Sequence, residues 1–249
     1  MKFKNKVVLV TGGGTGIGRA LCLRFAREGA AVAVNYSKSK RQAEEVVGRI
    51  EGTGGRALAV QADVSIDREA RQLIAQSVEQ FGRLDLLINN AAWTRFIPHN
   101  DLQGLSDEVL ENTWGVIVKG SIHCIRAAVP HLKATGDASI INTTSIAAYT
   151  ARGSSLIYVA AKSALAGITK ALARALAPEI RVNAIAPGFI DTGFVNWTPD
   201  VLEGLQKPTR LGNAIAPEDV ADAAVFLATD AKSTTGQTIL VDGGAAALG

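Results

Sequence analysis

Cysteine is scarce in this chain of 249 residues: Cys22 and Cys124 stand far apart in sequence. Two distant thiols make neither a disulfide framework nor a metal-ligand spacing, so both are expected to be reduced core thiols. His99, His123 and His131 show no ligand spacing either, and no metal is expected. Aromatic residues are only 5% of the chain while apolar residues reach 47%. That balance points to a sheet-and-helix core built from Val, Ile, Leu and Ala. The net charge of +3 is small, and basic runs are short ("KSKR", 38–41). A dedicated nucleic-acid binder would carry a basic stripe. The N-terminal "MKFKNKVVLV" lacks a long apolar segment, so no secretory signal is expected. A membrane span needs about 18 or more consecutive apolar residues, and none is seen. A cytoplasmic protein with no nucleic-acid or membrane partner is therefore expected.

Short apolar runs alternate with segments of helical period. Strands are expected at 6–10, 30–34, 56–60, 84–88, 138–142, 180–185 and 237–241. Helices are expected at 16–28, 39–51, 67–80, 106–133, 156–177 and 217–228. Several strands are apolar without alternation, as in strands covered on both faces. Strand–helix alternation of this kind implies an α/β fold: one doubly wound domain over 1–249, with seven parallel strands and helices on both faces. No low-complexity linker or repeat marks a second domain. The longest irregular stretch, 189–216, holds Pro199 and Pro208 and is expected to be a substrate lid.

Residues 11–18 read "TGGGTGIG", five glycines between the first strand and the first helix. Backbone N–H groups at a helix start are unpaired and partly positive. A pyrophosphate can sit there if no side chain blocks it. The spacing Gly12-x3-Gly16-x-Gly18 differs from the G-x-G-x-x-G fingerprint, and a tight turn with close packing is the competing reading. A dinucleotide fold often carries an acid at the end of the second strand, bonding the ribose hydroxyl. Here the end reads "VNYSKSK", with Asn35, Ser37, Lys38, Lys40 and Arg41 and no carboxylate. A hydroxyl and cations favour a 2′-phosphate, so NADP(H) is expected over NAD(H), with NAD(H) still open. The same cations could simply form a solvated helix start.

Tyr158 and Lys162 lie four apart in a helical segment and share a face. An ammonium near a phenol stabilises the phenolate, which would bring the phenol towards neutrality. Ser145 follows the fifth strand, where strand ends converge on a cofactor crevice. A hydroxyl there could hold a substrate oxygen.

Together these stretches resemble the short-chain dehydrogenase/reductase family, over about Lys6 to Gly244. "TGGGTGIG" matches its cofactor loop, and "NNAA" (89–92) resembles its N-N-A-G motif. Ser145 with Tyr158-x3-Lys162 matches its catalytic motif. "RVNAIAPGFIDT" (181–192) and "TGQTILVDGG" (235–244) resemble its last two strand motifs. The resemblance implies a Rossmann-like fold and interconversion of a ketone and a secondary alcohol. It implies Tyr158 as general acid/base, Lys162 lowering its pKa and bonding the nicotinamide ribose, Ser145 holding the substrate oxygen, and Asn112 supporting a relay water. It implies cofactor contacts at Gly12, Thr15, Gly16, Ile17, Asn35, Ser37, Asp63, Val64, Asn89, Ala91, Tyr158, Lys162, Pro187, Gly188, Ile190 and Thr192. It also implies a homotetramer built through the helices at 106–133 and 156–177 and the last strand.

Ala92 and Ala161 depart from the family pattern without removing a catalytic group. The pocket is expected from 93–100, 146–153 and 189–208, rich in aromatics such as Trp93, Phe96, Phe189 and Trp197. Within the family the chain looks most similar to 3-oxoacyl-(acyl-carrier-protein) reductases, which implies an acyl-carrier thioester substrate. A carrier would dock on bases such as Lys133 and Arg174. A small-molecule alcohol, polyol or sugar dehydrogenase remains the alternative. A non-catalytic cofactor-binding regulator is the alternative of another class.

Overall fold

The computed structural model describes residues 1–205 and 209–246. The strands are β1 (Val7–Val10), β2 (Ala31–Tyr36), β3 (Arg56–Gln61), β4 (Leu86–Asn89), β5 (Ala138–Thr143), β6 (Ile180–Pro187) and β7 (Thr238–Val241). All pair in parallel, in the order β3-β2-β1-β4-β5-β6-β7. The order reverses between β1 and β4. A crevice opens at such a switch point, outside the carboxyl ends of the strands. The expected seven-stranded doubly wound fold is therefore what the chain forms.

The unalternating apolar strands have a direct cause. Val8 and Val10 of β1 enter one core, shared with Leu21, Phe25, Val46 and Val220. Val7 and Leu9 enter the other, shared with Leu73, Cys124 and Leu132. Successive side chains of a strand face opposite sides, so a strand covered on both faces needs apolar residues throughout. The first core lies under α1 (Gly16–Arg27), α2 (Lys40–Glu51) and α9 (Pro217–Thr229). The second lies under α3 (Asp67–Phe81), α5 (Gly120–Lys133) and α7 (Leu156–Leu176). Cys22 and Cys124 are buried, and burial raises both thiol pKa values, to about 12 for Cys124.

The helix expected over 106–133 is interrupted. It runs as α4 (Asp107–Trp114), one π-helical turn (Gly115–Lys119) and α5. Gly115 and Gly120, five apart, both face the segment after β3. A Cβ at Gly120 would come 2.7 Å from Val64 Cγ2, and one at Gly115 would come 3.7 Å from Ser65 Cβ. Two short helices had no sequence signal: α6 (Ala147–Thr150) and α8 (Pro199–Leu205), the latter inside the expected lid. Pro208 of that lid lies outside the described residues. By length and composition alone α7 could cross a membrane. Here it packs along β5 and β6, with Lys162 and Thr169 buried on its inner side.

Candidate active site

The glycine loop is held from below. The Gly12 N–H donates to Asn35 Oδ1 (3.1 Å) and the Gly13 N–H to the Asn35 carbonyl (2.8 Å). Asn35 Nδ2 donates to the carbonyls of Ala62 (3.0 Å) and Val60 (3.3 Å). The loop is also held from the β4 side. Asn90 Nδ2 donates to the carbonyls of Thr11 (3.1 Å) and Gly12 (3.2 Å). Thr11 Oγ1 accepts from the N–H groups of Asn90 (2.9 Å) and Ala91 (3.0 Å). Thr11 and Asn90 thus lock β1 to β4 at the switch point, a role sequence reasoning missed.

The glycines divide into two jobs. A Cβ at Gly18 would collide with the Gly12 carbonyl oxygen, and one at Gly13 would meet Cys22 Sγ at 2.9 Å. These two serve close packing. Gly12 and Gly16 adopt φ of +62° and +48°, where side chains are strained. The N–H groups of Gly14 through Gly18 meet no acceptor among the described residues. No acid lies in the first turn of α1. Unpaired donors at a helix start, without a blocking side chain, form an anion site. Thr192 closes over it, since a Cβ at Gly16 would lie 3.2 Å from Thr192 Cβ.

The reactive groups stand at the ends of β5 and β6. Ser145 follows β5 and accepts the Ala147 N–H (3.1 Å). Ser155 caps α7 by accepting the Tyr158 N–H at 3.3 Å. One turn later Lys162 is buried, donates to the Thr143 carbonyl at 2.6 Å, and stands 5.6 Å from the centre of the Tyr158 ring. A buried chain fixes the height of α7 over the sheet. Asn89 Nδ2 donates to Asn142 Oδ1 (2.9 Å), Asn142 Nδ2 donates to Thr169 Oγ1 (2.9 Å), and Thr169 Oγ1 donates to the Leu165 carbonyl (2.9 Å). Asn89 Oδ1 is buried without a partner.

Electrostatics correct one expectation. Burial pushes the Tyr158 phenol up to about 12, against a smaller lowering by its hydrogen bond with Ser145. Burial also pushes Lys162 down to about 7. Desolvation disfavours both charged forms, so the lysine cannot by itself draw the phenol to neutrality. At neutral pH the resting group is a protonated phenol, which is a proton donor.

A family model described as enoyl-(acyl carrier protein) reductase matches residues 12–246. The chain is 39% identical to a 3-oxoacyl-(acyl-carrier-protein) reductase of Staphylococcus epidermidis, over 96% of this chain and 98% of that protein. It is 36% identical to tropinone reductase-like 3 of Erythroxylum coca, over 98% of this chain and 94% of that protein. A dehydrogenase/reductase structure from Sinorhizobium meliloti superposes with a TM-score of 0.90, at 37% identity, covering 98% and 96% of the two chains.

The chain belongs to the short-chain dehydrogenase/reductase family. It is an oxidoreductase of CH–OH and C=O groups, and its family implies a nicotinamide cofactor. The open donors of the glycine loop and the space at Gly16 fit the diphosphate of such a dinucleotide.

Other expected cofactor residues fall into two groups. Thr15, Gly16, Ile17, Ala91, Gly188, Ile190 and Thr192 keep some exposure around the crevice. Ser37 is exposed at the end of β2, and its carbonyl accepts from Gln61 Nε2 (3.1 Å). Asn35, Asn89 and Pro187 are buried, and the first two spend their amides within the fold. Asp63 Oδ1 accepts from the Ser65 N–H (2.9 Å) and hydroxyl (2.7 Å), ordering the turn before α3. Val64 packs under Gly120, and its carbonyl is bonded to His123 Nδ1 (3.0 Å).

Asn112 is not brought to the reactive group. It is exposed on α4 and makes no side-chain hydrogen bond among the described residues. The residues of this helical stretch that pack in one cluster with Tyr158 and Ala161 are Ile117 and Val118, both buried in the π turn. The Ile117 carbonyl accepts from Ser121 Oγ at 2.7 Å. The side chains gathered around Tyr158 in this cluster are hydrocarbon.

Proposed function

We propose that the protein is an NADP(H)-dependent reductase of ketones, running in reverse as a secondary-alcohol dehydrogenase. The observation that carries this reading is the Tyr158 phenol, bonded to Ser145 and backed by buried Lys162. The bound cofactor supplies or accepts the hydride. Tyr158 donates its proton to the carbonyl oxygen as negative charge develops there. Ser145 donates a second hydrogen bond to the same oxygen. Lys162, half-protonated near neutrality, offsets the phenolate left behind and returns a proton to it. Ser145, Tyr158 and Lys162 form the catalytic set, and Asn112 stands outside it.

Gly12, Thr15, Gly16 and Ile17 would hold the diphosphate of the dinucleotide, and Asp63, Val64, Asn89 and Ala91 its adenosine and ribose side. Pro187, Gly188, Ile190 and Thr192 line its nicotinamide half. Preference for the 2′-phosphate is supported at the end of β2. Ser37 and Lys38 are exposed, Lys38 makes no ion pair among the described residues, and Lys40 and Arg41 are held at 3.7 and 3.8 Å by exposed glutamates. Asn35 acts from beneath, by setting the loop.

A 3-oxoacyl thioester is the first substrate reading, supported by the activity for which the Staphylococcus relative is named. A small ketone is the second. It is favoured by the pairing of Lys133 with Glu179 at 3.1 Å, which removes one of the bases expected to dock a carrier. The protein is proposed to work in the cytoplasm as a homotetramer, through the exposed small-residue face of α7. Initial-rate oxidation of NADPH with acetoacetyl thioester and with a simple ketone tests the reading. No turnover of either with NADPH or NADH overturns it.

A further inference from the structure

Three aromatic rings from the expected substrate pocket meet in one cluster. Trp197 lies 5.3 Å from Phe96 and 6.4 Å from Phe189, centre to centre, in tilted and edge-on contact. They come from two different segments. Phe96 is in the stretch after β4, and Phe189 and Trp197 are in the stretch between β6 and α8.

Both segments are tied by hydrogen bonds to the stretches that carry Ser145 and Tyr158. Next to Phe96, the Ile97 N–H donates to the Ser154 carbonyl at 2.7 Å. Thr94 Oγ1 lies 2.8 Å from Ser154 Oγ and 3.4 Å from Ser155 Oγ, the cap of the helix bearing Tyr158. Two residues before Phe189, the Pro187 carbonyl accepts the Ile146 N–H at 3.0 Å, adjacent to Ser145. The ring cluster is therefore anchored on one side to the segment of Tyr158 and on the other to that of Ser145.

We infer that the Phe96–Phe189–Trp197 wall sets substrate choice, selecting a ketone whose larger substituent is a flat apolar group over polyhydroxylated, sugar-like carbonyls. This rests on the proposed ketone reduction and names its substrate class. A ring substituent gains apolar burial and offset or edge contacts on such a wall. A polyol substituent would leave its hydroxyls against hydrocarbon, with water stripped and nothing returned.

The test compares kcat/KM for an aryl methyl ketone and for dihydroxyacetone in wild type, Trp197→Ala, Trp197→Phe and Phe96→Leu. The aryl ketone is expected to be favoured by about a hundredfold or more in wild type. Trp197→Ala should cut its kcat/KM by about ten- to a hundredfold, mainly through KM. Trp197→Phe should retain most of the selectivity, and Phe96→Leu should fall between. An unchanged ratio in Trp197→Ala, or a wild-type preference for dihydroxyacetone, overturns the inference.

Calorimetric binding of the aryl ketone to Tyr158→Phe, with and without Trp197→Ala, needs no turnover. Binding weakened about tenfold or more by loss of Trp197 supports the wall even if the assigned reaction is wrong. Equal binding overturns the wall even if ketone reduction is right.

Discussion

Replacing Lys162 by Met should stabilise the fold at low pH and destabilise it at high pH. Lys162 is 2% exposed, and burial lowers its pKa from 10.5 to about 7. Below pH 7 both folded and unfolded chains carry the ammonium, and the folded one bears the whole cost of holding it out of water. Between pH 7 and 10.5 the unfolded chain binds more protons, so stability rises with pH. Above 10.5 both are neutral and the cost is gone. The full cost is about 5 kcal/mol at 1.36 kcal/mol per pKa unit. Against it stands the 2.6 Å bond to the Thr143 carbonyl. Losing that bond and orphaning its acceptor costs about 1–3 kcal/mol. Lys162→Met should therefore be about 3 kcal/mol more stable than wild type at pH 6. It should be about 1–3 kcal/mol less stable above pH 10.5, with the curves crossing near pH 9, roughly where the shrinking charge cost equals the lost bond. Urea unfolding of both proteins without cofactor, at one protein concentration, measures this. Parallel stability curves from pH 6 to 11 would show that the buried amine does not titrate as argued.

Tyr158→Phe should lower kcat by about 10²- to 10⁴-fold while cofactor affinity, read by fluorescence titration, stays within about threefold (~0.7 kcal/mol). Asn112→Ala should leave kcat within about twofold, since exposed positions without partners change little; a loss of about a hundredfold would return Asn112 to the proton path. Ser37→Asp should shift the kcat/KM ratio of NADPH to NADH by about tenfold or more towards NADH, by placing a carboxylate where a 2′-phosphate would sit.

The strand pattern was readable because a parallel sheet covered on both faces demands unbroken apolar runs. β1 supplies both cores from four consecutive residues. Edges moved where side chains, not periodicity, set them. The run expected at 84–88 starts at Leu86 because Asp85 turns its carboxylate to the Val7 N–H at 2.8 Å and to Arg83. The break in the helix over 106–133 could have been suspected from Gly115 and Gly120. Five residues is not a repeat of an α-helix, and only a π turn lets both glycines face Val64 and Ser65. The helices 147–150 and 199–205 are too short for any period to show.

The site was legible as a set of partners and illegible as a field. Spacing of four residues placed Tyr158 and Lys162 on one side of α7, and the structure keeps them there. The sign of their pKa shifts depends on what surrounds that side, which spacing does not encode. Ile117, Val118, Ala161 and Leu165 make those surroundings hydrocarbon, so desolvation outweighs the attraction between the pair. The same packing turns Ile117 and Val118 inward and leaves Asn112 exposed. A π turn shifts the helix face by one residue, so a position counted from the sequence as inward can end in solvent. In the proposed mechanism Lys162 is the titratable neighbour that returns a proton to Tyr158 from within the fold. A donor that is itself poised near neutrality can do so at physiological pH without a second relay side chain.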